Sequence, residues 1–345
     1  MRGKPFLSVI IPAYNASGTL GKLLESLAKS TFKNFEVIVG DDASNEQYLV
    51  GKGVTIVRLT HNKGPAAARN AAVKRARGNV LVFLDADVTV YSDTLAKIAG
   101  KFKEDHDLTA ITGVWDKHQR TKSFFPQFKA IRDWSYWTNE RDRDGYYYLF
   151  STRIAAIRRD VFTRLGGFNE AFRQMEDVEL TYRIAKRYAI IFAPDVRVHH
   201  EFEGFFPIAK KYFWRSFYWT KLYGARRKFD PVATTMSETA TAISGVGFIG
   251  LCACGFLFAG FSTIFNYPFG LAQGGHFSIF NYFSIIIFQF SIIFLLIHSI
   301  LLRRFLWFCY REKGIGFTVK AFGTGLVLYA VILTGSLYYQ LKKTI

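Results

Sequence analysis

Hydrophobic positions in the first 110 residues form short β-branched runs, separated by longer stretches that have the spacing of helices. The apolar runs predict strands at residues 7–11, 35–39, 54–59 and 80–84. The intervening stretches predict helices at residues 19–30, 65–76 and 92–103. This alternation predicts an α/β fold with a mostly parallel sheet and helices on both faces. Ligands of such sheets bind at the carboxyl ends of the strands.

The pattern is less regular from residue 111 to residue 194. It predicts extended chain at residues 146–157, a helix at 176–188 and short strands at 190–193 and 196–198. Residues 1–204 therefore make up the predicted α/β domain.

The last third of the chain is apolar. Residues 239–302 contain no charged side chain, and residues 321–341 form a second uncharged run. Because about 20 apolar residues cross a bilayer, we predict spans near residues 240–262, 277–301 and 321–341 within a membrane region of residues 236–345. The turn between the first two spans is expected at residues 266–275.

Basic side chains predict the orientation of these spans. They precede the first span and follow the second at Arg226, Arg227, Lys228, Arg303, Arg304, Arg311, Lys313 and Lys320. The positive-inside rule places those sides in the cytoplasm. Three spans would leave Lys342 and Lys343 outside, against the same rule.

The beginning of the chain lacks the pattern of a signal peptide, since its apolar run is short and ends at Pro12. The N-terminal domain is therefore expected in the cytoplasm, on a cell (inner) membrane. The three cysteines show neither a disulfide framework nor zinc-ligand spacing.

Residues 205–235 separate the domain from the spans, and their first part interleaves basic and aromatic side chains. Residues 205–228 contain no acidic residue, which is typical of an amphipathic helix at a membrane surface. The alternative is a helix packed on its own domain with a solvated basic face. The net charge of +18 is explained by anionic lipids and a sugar diphosphate, so nucleic acid is not an expected partner.

Polar clusters follow the predicted strands at residues 12–15, 41–42, 61–64 and 85–87. Asp85 and Asp87, two residues apart at a strand end, are suited to hold Mg²⁺ or Mn²⁺ through oxygen ligands. The alternative is a pair of aspartates that cap a turn or a helix.

Asp41 and Asp42 end the second strand, where a carboxylate can accept hydrogen bonds from a base or a ribose. An Asx turn is the alternative. No G-x-G-x-x-G follows the first strand, which disfavours nicotinamide and flavin cofactors. Lys63 and Arg69 lie at the start of a predicted helix and can face a phosphate, or the segment is a simple helix entry at Pro65.

Two later clusters also suggest chemistry. Asp177 follows Glu176 at a predicted helix start, where it is either a general base or a capping carboxylate. His199 and His200 follow a short predicted strand. A histidine there is either a metal or phosphate ligand or a structural side chain.

The ordered set of motifs resembles the family 2 inverting glycosyltransferases with the GT-A fold, over about residues 5–200. The motifs are Val9–Asn15, Val37–Ser44, Asn62–Gly64 with Ala68–Asn70, Leu84–Asp87 and Glu176–Asp177. The resemblance implies a Rossmann-like catalytic domain that uses a nucleotide-sugar donor, with UDP as the default, and Mn²⁺ or Mg²⁺.

The resemblance also implies a role for each candidate residue. Asp42 would contact the base, with Asp41 beside it, and the loop of Pro12, Ala13 and Asn15 would line the nucleoside. The other implied roles are basic groups near the nucleotide at Lys63 and Arg69, metal binding at Asp85, Asp87 and His200 or His199, and the catalytic base at Asp177.

The expected reaction is a single sugar transfer to a lipid-linked acceptor, either a polyprenyl phosphate or a polyprenyl-diphosphate glycan. Processive members of the family carry Q-x-x-R-W, whereas residues 215–219 read Arg-Ser-Phe-Tyr-Trp. The alternatives are a small processive polysaccharide synthase and a non-catalytic membrane scaffold. The oligomeric state is left open.

Overall fold

The computed structural model describes residues 3–48, 50–51, 53–140, 148–227, 236–265 and 279–344. The chain divides into two compact units, Met1–Phe205 and Phe206–Ile345. The turn expected at residues 266–275, the extended chain expected at residues 146–147, and Lys228 lie outside the described residues.

The first unit is built on one mixed sheet. Its strands in the described residues are β1 (Leu7–Ala13), β2 (Phe35–Asp41), β3 (Val54–Arg58), β4 (Val80–Leu84), β5 (Val88–Val90), β6 (Ala110–Trp115), β7 (Ile154–Arg158) and β8 (Ile190–His200). Their order is β3-β2-β1-β4-β7-β6-β8-β5. The first four strands run parallel, as predicted, and β7 is antiparallel to both β4 and β6.

Helices cover both faces of this sheet. They are α1 (Ser17–Ala28), α2 (Pro65–Val73), α3 (Thr94–Glu104), α4 (Phe124–Ser135), α5 (Arg159–Arg164) and α6 (Glu176–Ala185). Alternate side chains of β1 point to opposite faces, so Val9 packs in the core under α1 and α3 while Ile10 packs in the core under α2. The predicted α/β architecture is confirmed.

The two short strands predicted at residues 190–193 and 196–198 form one strand, β8. Its pairing with β6 jumps from Thr112–Phe192 to Val114–Arg197, so residues 193–196 bulge out of the ladder. Pro194 lies in this bulge, where its missing N–H leaves no gap in the pairing.

The second unit contains α7 (Phe205–Arg226), α8 (Met236–Phe265) and α9 (Ile279–Thr344). α9 is interrupted at Gly314, whose φ of 78° is outside the helical region. The rings of His298 and Tyr329 lie 5.5 Å apart, although 31 residues of straight helix would separate them by about 46 Å. The chain therefore reverses at Gly314, and α9 is a hairpin with a first arm (279–313) and a second arm (315–344).

Two segments, Met236–Gly260 and Tyr282–Lys343, are long and apolar enough to cross a membrane, judged by length and composition alone. α8 packs on the first arm through glycines: a Cβ on Gly247 would lie 2.4 Å from the ring of Phe294, and one on Gly255 would lie 3.1 Å from Phe288. Small residues at such contacts allow helices to approach closely.

Candidate active site

Hydrogen bonds join the loops that follow β1 and β2. The Asn15 side-chain oxygen accepts the backbone N–H of Asn45 at 2.9 Å, and the Asn15 N–H donates to Ser44 Oγ at 3.0 Å. Asn15 and Ala43 both have positive φ, 47° and 61°. The sharp turns at both strand ends are thus held against each other, at the edge of the sheet where ligands of parallel sheets bind.

Pro12 and Ala13 were expected in a loop, but they belong to β1, opposite Gly40 and Asp41 of β2. The pairing of β1 with β4 ends at Ile10. Pro12 lies beyond this point, so its missing N–H does not interrupt hydrogen bonds to β4. Their contact with a nucleoside stays a prediction.

Asp41 and Asp42 are buried, and each carboxylate organises a loop. Asp41 accepts the Ser44 N–H at 2.9 Å and pairs with Arg58 at 3.0 Å. Asp42 accepts the backbone N–H groups of Lys63 at 2.7 Å and of Gly64 at 2.8 Å, and thereby fixes the turn that begins α2. The predicted base contact of Asp42 stays a prediction, and the Lys63 side chain is exposed.

Arg69 was expected near a phosphate, but its guanidinium faces protein carboxylates. Only 3% of this residue is exposed. Its donors bind Glu176 at 2.6 Å, Asp85 at 2.8 Å and the Thr152 hydroxyl at 2.9 Å. Two carboxylates within hydrogen-bond reach explain why the side chain turns inward. Its predicted contact with the nucleotide stays a prediction.

Charges around Arg69 shift pKa values in the site. Burial acts to lower the pKa of the guanidinium, but the negative charges of Glu176 and Asp85 outweigh it and the pKa is raised. Burial raises the pKa of Asp85; Arg69 opposes this rise, and the charge of Asp87 adds to it. The raised pKa of Asp85 means that burial disfavours its charged form, and the guanidinium offsets only part of this effect.

Asp87 and His200 meet at the edge of the site. His200 Nε2 lies 3.2 Å from Asp87 Oδ2. The His200 ring is flanked by Trp115 and Phe202, with ring centroids at 5.2 Å and 4.6 Å. His199 points to the other face of β8, as alternation along a strand requires, and its Nε2 contacts Glu201 at 2.8 Å. Of the two histidines left open by the sequence, His200 is the one beside Asp87.

The described residues contain no group of three or more histidine, cysteine, aspartate or glutamate side chains that could hold a metal ion. They do offer two neighbouring ligands, the carboxylate of Asp87 and the imidazole of His200. Carboxylate oxygen suits Mg²⁺ and Mn²⁺, which also keep water or substrate oxygens in their coordination spheres. The two side chains therefore fit a divalent cation whose remaining coordination positions are filled by substrate oxygens or water.

Asp177 is the second residue of α6 and follows Glu176, which faces Arg69. The helix begins after Met175, whose φ is 68°. One carboxylate oxygen of Asp177 accepts the N–H of Val178 at 2.8 Å, and Asp177 is close enough to Arg69 to raise its pKa. The acidic groups of the fourth strand end and of α6 thus share one site.

Three further groups shape this site. Glu176 was quoted only as the neighbour of Asp177, and no local pattern points to Thr152, which precedes β7. Gln119 holds the His200 segment on both sides: its amide N–H donates to the His200 carbonyl at 2.7 Å, and its oxygen accepts the Phe202 N–H at 2.8 Å.

Comparison with known proteins agrees with this architecture. The model of the glycosyl transferase family 2 matches residues 8–166. An uncharacterized glycosyltransferase of Haemophilus influenzae is 28% identical over 187 residues, or 52% of this chain and 61% of that protein. A PGL/p-HBAD biosynthesis glycosyltransferase of Mycobacterium bovis is 28% identical over 199 residues, 54% of this chain and 72% of that protein.

Among solved structures, a mannosyltransferase from Pyrobaculum calidifontis, in complex with GDP-Man and Mn²⁺, shares the fold. The TM-score is 0.54 at 18% identity, and the match covers 99% of this chain and 89% of the other. Residues 8–166 therefore match the glycosyl transferase family 2 domain, and the chain shares the GT-A fold of its structural neighbour.

Proposed function

We propose that the protein is a membrane-bound inverting glycosyltransferase that moves a sugar from a nucleotide-diphosphate donor to a lipid-linked acceptor. One observation carries the proposal. Arg69 bonds Asp85 of the D-x-D motif at 2.8 Å and Glu176 of the E-D motif at 2.6 Å, which brings together acidic motifs that are some 90 residues apart in the chain. A scaffold without catalysis has no need for this convergence.

In this reading, Asp87 and His200 would hold the cation, with Asp85 beside them. When bound, Mn²⁺ or Mg²⁺ supplies positive charge to the leaving diphosphate. Asp177 accepts the proton of the acceptor hydroxyl at its carboxylate while that oxygen attacks the anomeric carbon from the opposite face. A single displacement of this kind inverts the carbon. A phosphate acceptor is already ionised, so Asp177 then contributes less as a base.

A UDP-sugar is the proposed donor. The fold neighbour from Pyrobaculum calidifontis is a mannosyltransferase in complex with GDP-Man, so GDP-mannose belongs in the same screen. The buried Asp41 and Asp42 at the end of β2 order the loops on which a nucleoside would rest.

The proposed membrane region contains three crossings, one in α8 and one in each arm of α9. Residues 205–235, which follow the catalytic domain of residues 1–204 in the chain, would lie at the cytoplasmic surface of the inner membrane. α7 begins only five residues after His200 in the chain. It exposes 82% of Phe206 and 36% of Trp214, and basic, aromatic helices of this kind bind anionic interfaces.

A donor screen tests the proposed function. The full chain in lipid is incubated with UDP- and GDP-sugars, Mn²⁺ or Mg²⁺, and a polyprenyl phosphate or an extracted lipid fraction. We expect metal-dependent formation of a glycolipid, with the anomeric configuration inverted. Sugar chains that grow on one acceptor would favour a processive synthase, and no transfer with any donor would contradict the proposal.

A further inference from the structure

Arg69 lies in the first turns of α2, where a basic side chain was expected to face a phosphate, but it is buried inside the protein. Its guanidinium binds three side chains, from the end of β4 (Asp85), the start of α6 (Glu176) and the segment before β7 (Thr152). These groups lie 16, 107 and 83 residues away in the chain. A ring of Phe168, 5.5 Å from the guanidinium carbon, covers one of its faces.

We infer that Arg69 is a positioning residue for the transfer reaction. It holds the acidic motif of the proposed metal site at a fixed distance from the motif that carries the proposed catalytic base. The inference rests on the proposed function. Asp85 is two residues from Asp87, and Glu176 precedes Asp177. The guanidinium therefore acts through its partners and needs no contact with the donor.

Electrostatics explains why a cation is needed at this point. Asp85 and Glu176 both approach the same buried position, and two carboxylates in a poorly solvated site repel each other. Without the guanidinium, no bound cation offsets this repulsion, and the two side chains are expected to move apart. Removal of one partner from a buried charge cluster is costly for this reason.

Geometry explains why the cation is an arginine. A planar guanidinium has donors in fixed directions and can bind carboxylates and a hydroxyl at the same time. Lysine carries the charge but is a compact ammonium on a flexible stem, so it cannot hold the same three acceptors in register. Charge and geometry can therefore be separated by substitution.

The test compares the full chain with R69K, R69M and T152V, each measured in lipid for kcat, donor KM and thermal unfolding. A displacement of about 1 Å in a catalytic group can cost roughly 100-fold in rate. We expect kcat to fall on the order of 100-fold in R69M and less in R69K, while donor KM changes less than about threefold in both. T152V should show a smaller fall in kcat, again with little change in donor KM.

R158M is the matched control. Arg158 also has a guanidinium that packs on a phenylalanine ring at 5.5 Å and binds three acceptors, the carbonyls of Leu108, Asp105 and Phe102. It ends β7, at the end of the sheet opposite to Thr152. R158M should lower the unfolding temperature and leave kcat of the folded enzyme unchanged.

A second readout does not depend on turnover. A structure of R69K or R69M should show Asp85 and Glu176 farther apart, by about 1 Å or more. An unchanged separation, or a normal kcat in folded R69M, would overturn the positioning role. A large rise in donor KM with kcat retained would assign Arg69 to the nucleotide instead. An inactive wild-type chain would contradict the proposed function. The distance between Asp85 and Glu176 in the variants would still show whether Arg69 sets the spacing of the two acidic motifs.

Discussion

Asp87 and His200 meet because of the pairing of two strands. β5 places Val88 opposite His200 of β8, so the residue just before β5 reaches the histidine ring. Trp115 and Phe202 limit the movement of that ring. For the proposed metal site, a ligand held in one orientation by its neighbours should bind more tightly than a mobile one.

Replacement of Asp87 should abolish metal-dependent nucleotide binding. We expect D87A to lose the Mn²⁺-dependent part of UDP or GDP affinity, and H200A to lose it by roughly 10- to 100-fold, as for residues that hold or orient a metal. Calorimetry with and without Mn²⁺ measures both. H199A is the control, since His199 faces Glu201; an equal loss in H199A would contradict the assignment.

Replacement of Asp177 should separate binding from chemistry. D177N keeps the size of the side chain and removes its basicity, so we expect donor binding to persist while transfer falls by about 10²- to 10⁴-fold. Donor affinity and kcat are measured on the same preparation. Wild-type turnover with a hydroxyl acceptor would remove Asp177 from the role of base.

The sequence predicts candidate residues for the site but not the contacts among them. Asp85, Asp87 and Asp177 could be found because acidic residues at strand and helix ends are local patterns. The partners of Arg69 could not, because the direction of a helical side chain depends on α6, more than 100 residues later. The choice between His199 and His200 depended on the register with β5, which is likewise not local.

At the scale of elements, one close approach holds α2 against β2. A Cβ built on Gly40 would lie 2.1 Å from the carbonyl oxygen of Ala68, the residue before Arg69. Glycine at this position lets the helix backbone lie on the strand. The position of Arg69 therefore depends on the absence of a Cβ atom at Gly40.

G40A should destabilise the domain and disturb the site. Because the contact is with backbone, α2 must shift, and overpacking of this kind costs about 1–3 kcal/mol in the free energy of unfolding. Chemical unfolding measures the change. G100A is the control: its Cβ would lie 3.5 Å from the Glu104 side chain within α3, and alanine there should be neutral or stabilising by up to about 1 kcal/mol.

Among the elements, the regular apolar runs of the first 110 residues predicted their strands well, whereas α4 and the short strand β5 were not predicted. The strand at residues 80–84 was predicted with its observed bounds, and β1 and β2 each extend two residues past the prediction. β5, which has three residues, was not predicted, whereas β7 lies within the extended chain expected at residues 146–157 although its two alanines have low strand propensity. These strands form because their neighbours in the sheet supply partners.

At the scale of the whole molecule, α7 is the segment expected to contact anionic lipid. Reversing charge at Lys210 and Lys211 should weaken the dependence of activity on anionic lipid, by about 1 kcal/mol of surface binding per lysine. Activity is compared in nanodiscs with and without phosphatidylglycerol. K22E/K74E reverses two exposed lysines of the catalytic unit and serves as control; an equal effect in both variants would refute a specific role of α7.

The orientation of the spans can be measured as well. We expect cysteine labelling to place residues near Gly314 in the cytoplasm and the C-terminus outside, since basic residues flank the Gly314 turn. α7 packs on the second arm, with Phe213 and Tyr338 rings 5.8 Å apart, and Tyr338 is about 36 Å from Gly314 along an ideal helix. If Gly314 is in the cytoplasm and the second arm crosses the membrane, this contact lies at the outer face, so three crossings and an inner-surface position of α7 exclude each other. A C-terminus labelled outside would remove α7 from the inner surface, and a C-terminus labelled in the cytoplasm would contradict the charge rule and the third crossing.

The reversal at Gly314 makes residues 315–344 a helical arm that returns along the first arm. The register of the two arms is therefore set by how many residues separate each contact from Gly314. His298 and Tyr329 lie 16 and 15 residues from it on the two arms. An insertion or deletion of one residue in either arm would rotate everything beyond it by about 100°, so that His298 would lose its aromatic neighbours. Evolution can therefore lengthen this hairpin at its far ends more easily than near its bend.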